Sequence, residues 1–405
     1  MNRLMQGRVP EDTGKRCDRL EQELEQRFGR GEPVRFFRAP GRVDLMGSHT
    51  DYNLGLILAG AVDREIVAAA RLRPDGQLNF YSLNLDQEVR TRLPQLRPEP
   101  AHGWANYPKG VVHELGKLGF SIPGLDLAVH GTIPVAANLS SSAALEAVTA
   151  RAMLDLLKES LAAWEIIRLC WRAETDFVGL PCGILDQFTV IMGRPDTALF
   201  LDCRSLESER FPFPADQAAL VVLDSGVGRQ LVASEYATRV AECQQAVEHF
   251  RRGRPGVQSL RDVSEQDIEV IGPLLPETLL RRARHVLTEN RRVREAAAAL
   301  GRTDLKALGR IMEAGFQSSR DDYQISIPEL DQLHEIASSL PGVLGTRIAG
   351  AGWGGCLVSL LQPEVVDKFT KNAVALYREK TGREARVMVV RLGGGPEEIR
   401  AEGSS

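Results

Sequence analysis

A chain of two domains that mixes strands with helices is what the sequence predicts, on three observations. Its 405 residues exceed one domain of about 100–200 residues. Strand-like runs dominate from Val34 to Leu93, whereas residues 228–319 are mostly helical. Ahead of that helical region, Leu206 to Asp216 is a charged, Pro-containing connection. The expected division is an N-terminal extension and helix over 1–29, a first domain over 30–205, a second over 206–392 and a loose tail over 393–405. Hydrophobic residues at 43% and charged residues at 26% are ordinary for a globular protein with large cores.

The elements follow in order. Residues 1–14 read as disordered. Leu20, Leu24 and Phe28 recur at helical spacing with charges between them, and Gly29 ends that helix. Val34 to Arg38 reads as a strand. Leu56 to Ala70 reads as strand, turn and strand, broken at Asp63-Arg64-Glu65, and Leu78 to Leu93 as further β-structure. Val111, Val112, Leu115 and Leu118 lie on one side of a helix that begins near Trp104. Trp104 is either a packing residue or a flat face for a base. Leu125 to Val135 is a strand, and Leu145, Val148, Ala152, Met153 and Leu156 mark a long helix after it. Trp164 to Phe177 is a helix carrying Glu174. Thr197 to Asp202 and Ala219 to Asp224 are strand-like. Gly228 to Arg252 (with Tyr236), Thr278 to Leu300 and Leu305 to Ser319 are helical. Val343 to Ile348 and Leu357 to Leu361 are strands, Val365 to Lys380 is a helix and Ala385 to Arg391 a closing strand.

Charge and cysteine content narrow the function. A net charge of −4 leaves no broad basic face for nucleic acid. No stretch is long enough to span a membrane. The six cysteines are scattered without a CxxC pair, which argues against a disulfide framework or zinc site and for a reducing, cytoplasmic setting. Met1 to Lys15 is polar and lacks an apolar signal core.

Four small-residue or glycine-bearing polar loops stand out. The first, Ala39 to Gly55, begins as a strand (Val43, Leu45) and then runs through six polar or aromatic residues, Ser48 to Asn53. The second, Ala136 to Ala144, holds Ser140-Ser141-Ser142 between a strand and a helix. That geometry binds phosphate through free N–H groups and the helix dipole, and a serine hydroxyl could ligate Mg²⁺; the serines could also simply cap the helix. In the third, Gly179 to Phe188, Asp186 follows two glycines and a proline. If buried there, it needs a cation such as Arg42; otherwise it is an exposed loop residue. The fourth, Gly350 to Cys356, satisfies GxGxxG, but a strand follows it where a dinucleotide site needs a helix. Neither GxxxxGK[ST] nor the protein-kinase HRD and DFG triplets occur.

Taken together, these loops resemble the galactokinase family, within the GHMP group of small-molecule kinases. The resemblance is carried by Gly41-Arg42-Val43-Asp44-Leu45-Met46-Gly47-Ser48-His49-Thr50-Asp51-Tyr52-Asn53, Leu139-Ser140-Ser141-Ser142-Ala143-Ala144 and Gly350-Ala351-Gly352-Trp353-Gly354-Gly355-Cys356. It implies two α+β domains of the GHMP-kinase type, mixed sheets packed on helices, with the active site in the cleft between them. It implies transfer of the ATP γ-phosphate to a sugar 1-hydroxyl, with ATP and Mg²⁺ as cofactors. Carried over by position, Asp186 is the base and Arg42 assists it. Ser48, His49, Asp51, Gly183 and Tyr236 would hold the sugar. Asn138, Ser140, Ser141, Ser142 and Ala143 would hold the ATP phosphates, Trp104 would pack on adenine, and Ser142 and Glu174 would sit at the metal. Expected partners are a small sugar and ATP, with no nucleic acid or membrane, in a monomer or weak oligomer.

Two departures from the family pattern carry consequences. Ala136-Ala137-Asn138 stands where glycines are usual, and Asn138 can keep a left-handed turn. Ser48 stands where a Glu contacts the sugar away from its reacting carbon. A lost hydrogen bond to a charged group is worth about 1.5–3 kcal/mol, and a neutral residue would admit a 6-carboxylate. Galactose is the expected substrate; a C6-altered sugar such as galacturonate, or a non-catalytic galactose/ATP sensor, is the alternative.

Overall fold

The computed structural model describes residues 12–134, 138–227 and 232–399. Helix α1 (Thr13–Phe28) is started by the Asp12 side chain, which accepts from the Gly14 N–H at 3.0 Å. It buries Cys17, Leu20 and Leu24 against Val67, Ala69 and Ala128 of the first sheet.

That sheet is built on β1 (Arg35–Met46) and β2 (Leu56–Leu72), paired antiparallel. β2 runs through Asp63-Arg64-Glu65, where the sequence predicts a turn. The charges find partners from outside the strand: Arg16 reaches Glu65 at 2.8 Å, and Arg64 Nη2 donates to the Val389 carbonyl at 3.0 Å. The sheet continues with β3 (Gln77–Ser82), β4 (Gln87–Arg92), β5 (Leu125–Gly131), β6 (Thr197–Asp202) and β7 (Ser208–Pro212). β5 pairs with one half of β2 and β6 with the other. Helices α2 (Asn106–Lys117), α3 (Ser141–Leu157), α4 (Ala163–Arg172) and α5 (Leu185–Met192) share the core on the face opposite α1. The expected boundary at 205/206 falls too early, because β7 pairs with β6. β7 is an exposed edge strand, so it shows no buried alternation that a sequence reading could detect.

The second sheet, β8 (Ala219–Asp224), β9 (Val343–Ala349), β10 (Cys356–Leu361) and β11 (Arg386–Val390), is antiparallel in the order β11-β8-β10-β9. Around it stand α6 (Val232–Gly253), α7 (Glu265–Val270), α8 (Glu277–Gly301), α9 (Leu305–Asp321), α10 (Pro328–Ser339) and α11 (Val366–Thr381). Alternate residues of a strand face opposite sides, and β8 and β10 use both. Leu220, Val222, Val358 and Leu360 join the core of the first lobe; Val221, Leu223, Leu357 and Leu361 join the core of the second. The two α+β lobes therefore meet across apolar surface.

The expected loose tail is also corrected in part. β12 (Glu397–Ile399) returns to pair with β1, held by Arg35–Glu398 at 2.7 Å and by an Arg38–Glu397 pair. Residues 1–11 and 400–405 lie outside the described residues. Among the described residues, no helix is long and apolar enough to cross a membrane.

Candidate active site

β1 carries the first functional groups into a cavity of about 410 Å³ between the lobes. Val43 and Leu45 point into the first core, so the alternating Arg42 and Asp44 line the cavity. Register shifts on either side of this pair mark irregularities of the kind that re-aim strand side chains. The Arg42 N–H donates to the Leu139 carbonyl at 3.0 Å, and its Nη1 donates to the Asn138 carbonyl. Its Nε and Nη2 reach Asp186 Oδ1 at 2.8 and 2.7 Å. Burial disfavours the Arg42 charge, but Asp186 and Asp44 outweigh that and raise its pKa.

The second loop meets α3 without a cap. Ser140, at the N-cap, has φ +55° and makes no side-chain cap bond. Its Oγ and the Asn138 Nδ2 are buried without a partner. Asn138 holds the left-handed turn expected of it, at φ +55°. Two buried donors and an uncapped helix start form a site whose missing partner is an anion. Gly350 (φ +74°) closes over this turn, and a Cβ there would lie 2.8 Å from the Asn138 Cβ. Ala136 and Ala137 lie outside the described residues.

Asp186 is not in a tight loop as expected. It sits in the first turn of α5, where the helix dipole favours a carboxylate; the glycines before it had concealed so short a helix. Glu174 lies in a π-helical turn, Ala173–Val178, that follows α4. Burial and then the Asp186 charge push Glu174 up to about 7, against hydrogen bonds from Ser142, Gln187 and Cys182. A hydroxyl and a carboxylate are a donor set that suits Mg²⁺, which takes one or two protein oxygens and completes its shell with phosphate and water.

The first loop supplies the floor. Burial raises Asp51 to about 6, opposed by the Tyr52 N–H, which donates to Oδ1 at 2.9 Å. Asp51 presses on Gly183 so closely that a Cβ there would lie 1.8 Å from Asp51 Oδ2, so any larger residue would displace the Asp51 side chain. His49 is buried, and burial lowers it to about 4, leaving a neutral ring. Its Nε2 lies 2.9 Å from the Ala351 carbonyl, which can only accept, so Nε2 carries the proton. Nδ1 then accepts from the Tyr52 hydroxyl at 2.9 Å. Both ring nitrogens of His49, a residue expected to hold sugar, are thus engaged within the protein. The Tyr236 ring stands 5.4 Å from the rings of His49 and Tyr52.

The cavity gathers Arg42, Ser48, His49, Asp51, Asn138, Ser140, Ser141, Ser142, Glu174, Gly183, Asp186 and Tyr236, all singled out from sequence. Two residues singled out from sequence are not among the lining residues, Trp104 and Ala143. Trp104 packs against the first core, whereas Tyr107 lines the cavity. The Ala143 side chain is fully buried in that core. The sequence reading also missed Asp44, whose Oδ2 accepts from Ser48 Oγ at 3.3 Å. Its strict alternation with Val43 and Leu45 was the available signal.

Comparison with known proteins agrees with this arrangement. Residues 22–72 match the galactokinase galactose-binding signature, residues 106–194 the GHMP kinases N-terminal domain and residues 296–378 the GHMP kinases C-terminal region. A galactokinase of Roseiflexus sp. (strain RS-1) is 41% identical over 384 residues, covering 95% of this chain and 96% of that protein. The chain belongs to the galactokinase family. The galactokinase of Bacillus subtilis (strain 168) is 36% identical over 93% of this chain and 97% of its own length. Among solved structures, Lactococcus lactis galactokinase complexed with galactose superposes with a TM-score of 0.90 at 34% identity, covering 94% of this chain and 99% of that one. The mevalonate kinase of Methanococcus jannaschii shares the fold at 16% identity, with a TM-score of 0.62 over 90% of this chain and 99% of its own. Galactokinase-family membership thus extends over nearly the whole length, both lobes included.

Proposed function

We propose that the chain transfers the γ-phosphate of ATP to the 1-hydroxyl of galactose. The observation that carries this reading is the Arg42–Asp186 pair, which shares one cavity with the uncapped start of α3. Both Arg42 bonds end on Asp186 Oδ1, which leaves Oδ2 to take the hydroxyl proton as the sugar oxygen attacks phosphorus. Arg42 also bonds the Asn138 carbonyl, so one guanidinium ties the base to the phosphate loop. Ser140, Ser141 and the N–H groups of α3 cradle the phosphates. Ser142 and Glu174 would hold Mg²⁺, which neutralises charge on the phosphate oxygens. In phosphoryl transfer, positioning and charge neutralisation supply most of the catalysis.

Galactose is favoured over a 6-carboxylate sugar by the galactose-binding signature over residues 22–72. Ser48 Oγ itself is engaged, donating toward the Asp44 carboxylate at 3.3 Å and accepting from Arg347 Nη2 at 2.7 Å. ADP release measured over a panel of sugars is expected to be highest with galactose. Equal turnover on galacturonate would overturn the substrate, and no turnover on any sugar with ATP binding intact would overturn the enzyme.

Asp51 gives this reading a pH dependence. Sugar hydroxyls donate to the carboxylate form, and that form is lost as pH falls through about 6. Galactose affinity, measured by calorimetry, is expected to be flat above pH 7 and to weaken by up to about tenfold per unit below 6. Asp51→Asn should bind weakly at every pH, without that slope.

A further inference from the structure

Glu146 is a carboxyl group that the reaction as described does not use. It lies on α3, one turn after Ser142, and is fully buried. Its Oε2 accepts from Gln187 Nε2 at 3.0 Å. The same nitrogen donates to Glu174 Oε2 at 2.7 Å. One amide of the residue next to Asp186 therefore joins two acidic side chains from different elements. Two buried atoms of this group have no partner: Glu146 Oε1 and Gln187 Oε1.

We propose that Glu146 is a positioning residue, which clamps the Gln187 amide so that Gln187 holds Glu174 turned toward Ser142. The inference rests on the proposed role of Glu174 and Ser142 at the metal. A proton on Glu146 Oε1 would supply the donor that Gln187 Oε1 lacks, and a carboxylic acid and an amide then pair at two points. Burial, followed by the Glu174 charge, favours that neutral form. Among the described residues, no ion pair to Glu146 is formed that would favour the charged one. The two-point pair decides which way the Gln187 amide faces, and thereby which Glu174 oxygen is drawn back from the cavity and which is left to it.

The test is Mn²⁺ binding to the full-length protein in the presence of ADP, read by electron paramagnetic resonance, beside calorimetric galactose affinity and thermal melting. Glu146→Gln keeps the donor and acceptor pattern and is expected to bind Mn²⁺·ADP within about twofold of the parent. Glu146→Met and Gln187→Met each break the clamp and are expected to weaken it by about tenfold or more, with galactose affinity unchanged. Glu174→Gln must weaken Mn²⁺·ADP for the metal assignment to stand. If it does not, that assignment falls and takes the inference with it. If Glu174→Gln weakens binding while both Met variants bind like the parent, only the positioning role of Glu146 is overturned. A Glu146→Gln variant as weak as Glu174→Gln would overturn it too, and this arm decides even if the Met variants fail to fold.

Discussion

Asp186→Asn is expected to lower kcat by about 10²–10⁴ while leaving the fold and galactose affinity near those of the parent. Asparagine keeps the shape of the side chain, and its carbonyl can still accept from Arg42, but at neutral pH it cannot take a proton. The loss should therefore fall on kcat and not on KM. Asp186 is already aligned before substrate arrives, because Arg42 fixes Oδ1 through Nε at 2.8 Å and Nη2 at 2.7 Å. Steady-state ADP release and calorimetric sugar binding on one preparation separate the two quantities. Turnover retained within a few-fold would remove Asp186 from the role of base and leave positioning by the phosphate loop and Arg42 as the main source of rate.

Most of the groups that line the cavity were legible because each lies in a short run whose composition departs from its surroundings. Arg42 and Asp51 share one stretch, the three serines another, and Asp186 a third. The left-handed turn at Asn138 followed from its residue type. The failures have physical causes. Charges in β2 suggested a turn because their partners, Arg16 and the Val389 carbonyl, are remote in sequence. β12 is too short to show a period. Gln187 and Glu146 gain meaning only from each other, 41 positions apart. The same holds for α8, which reads as an ordinary amphipathic helix. Its His285 lies 3.1 Å from the Ser48 carbonyl, Glu289 accepts from the Gly47 N–H at 2.9 Å, and Asn290 accepts from the Leu56 N–H at 2.8 Å. One face of that helix braces both ends of the loop between Gly47 and Leu56, and no local pattern announces it.

Glu289→Ala is accordingly expected to destabilise the protein by about 3–5 kcal/mol, the largest single effect on stability anticipated outside the apolar cores. Glu289 is fully buried between Arg347, at 3.2 Å, and Arg292, at 2.7 Å. Burial alone would raise its pKa, but the charges of Arg347 and Arg292 more than offset that and hold the carboxyl well below the usual range. Removing it strands the Arg347 guanidinium, itself fully buried, and takes the acceptor from the N–H groups of Gly47 and Ser48. A second effect on galactose KM should follow, because those N–H groups fix the loop that carries Ser48 and Asp51. The pH dependence has a definite sign. A carboxyl depressed on folding contributes its stability in full above its unfolded pKa, near 4.5, and loses it as pH falls toward the folded value. The difference between parent and variant in urea unfolding should thus be constant from about pH 6 to 9 and shrink below about pH 4. A triple variant with Glu289, Arg292 and Arg347 all replaced by Met should recover much of the lost stability without restoring galactose KM, since apolar packing can replace a buried ionic triad but cannot accept from two backbone N–H groups. Recovery of both would place the role of Glu289 in packing alone.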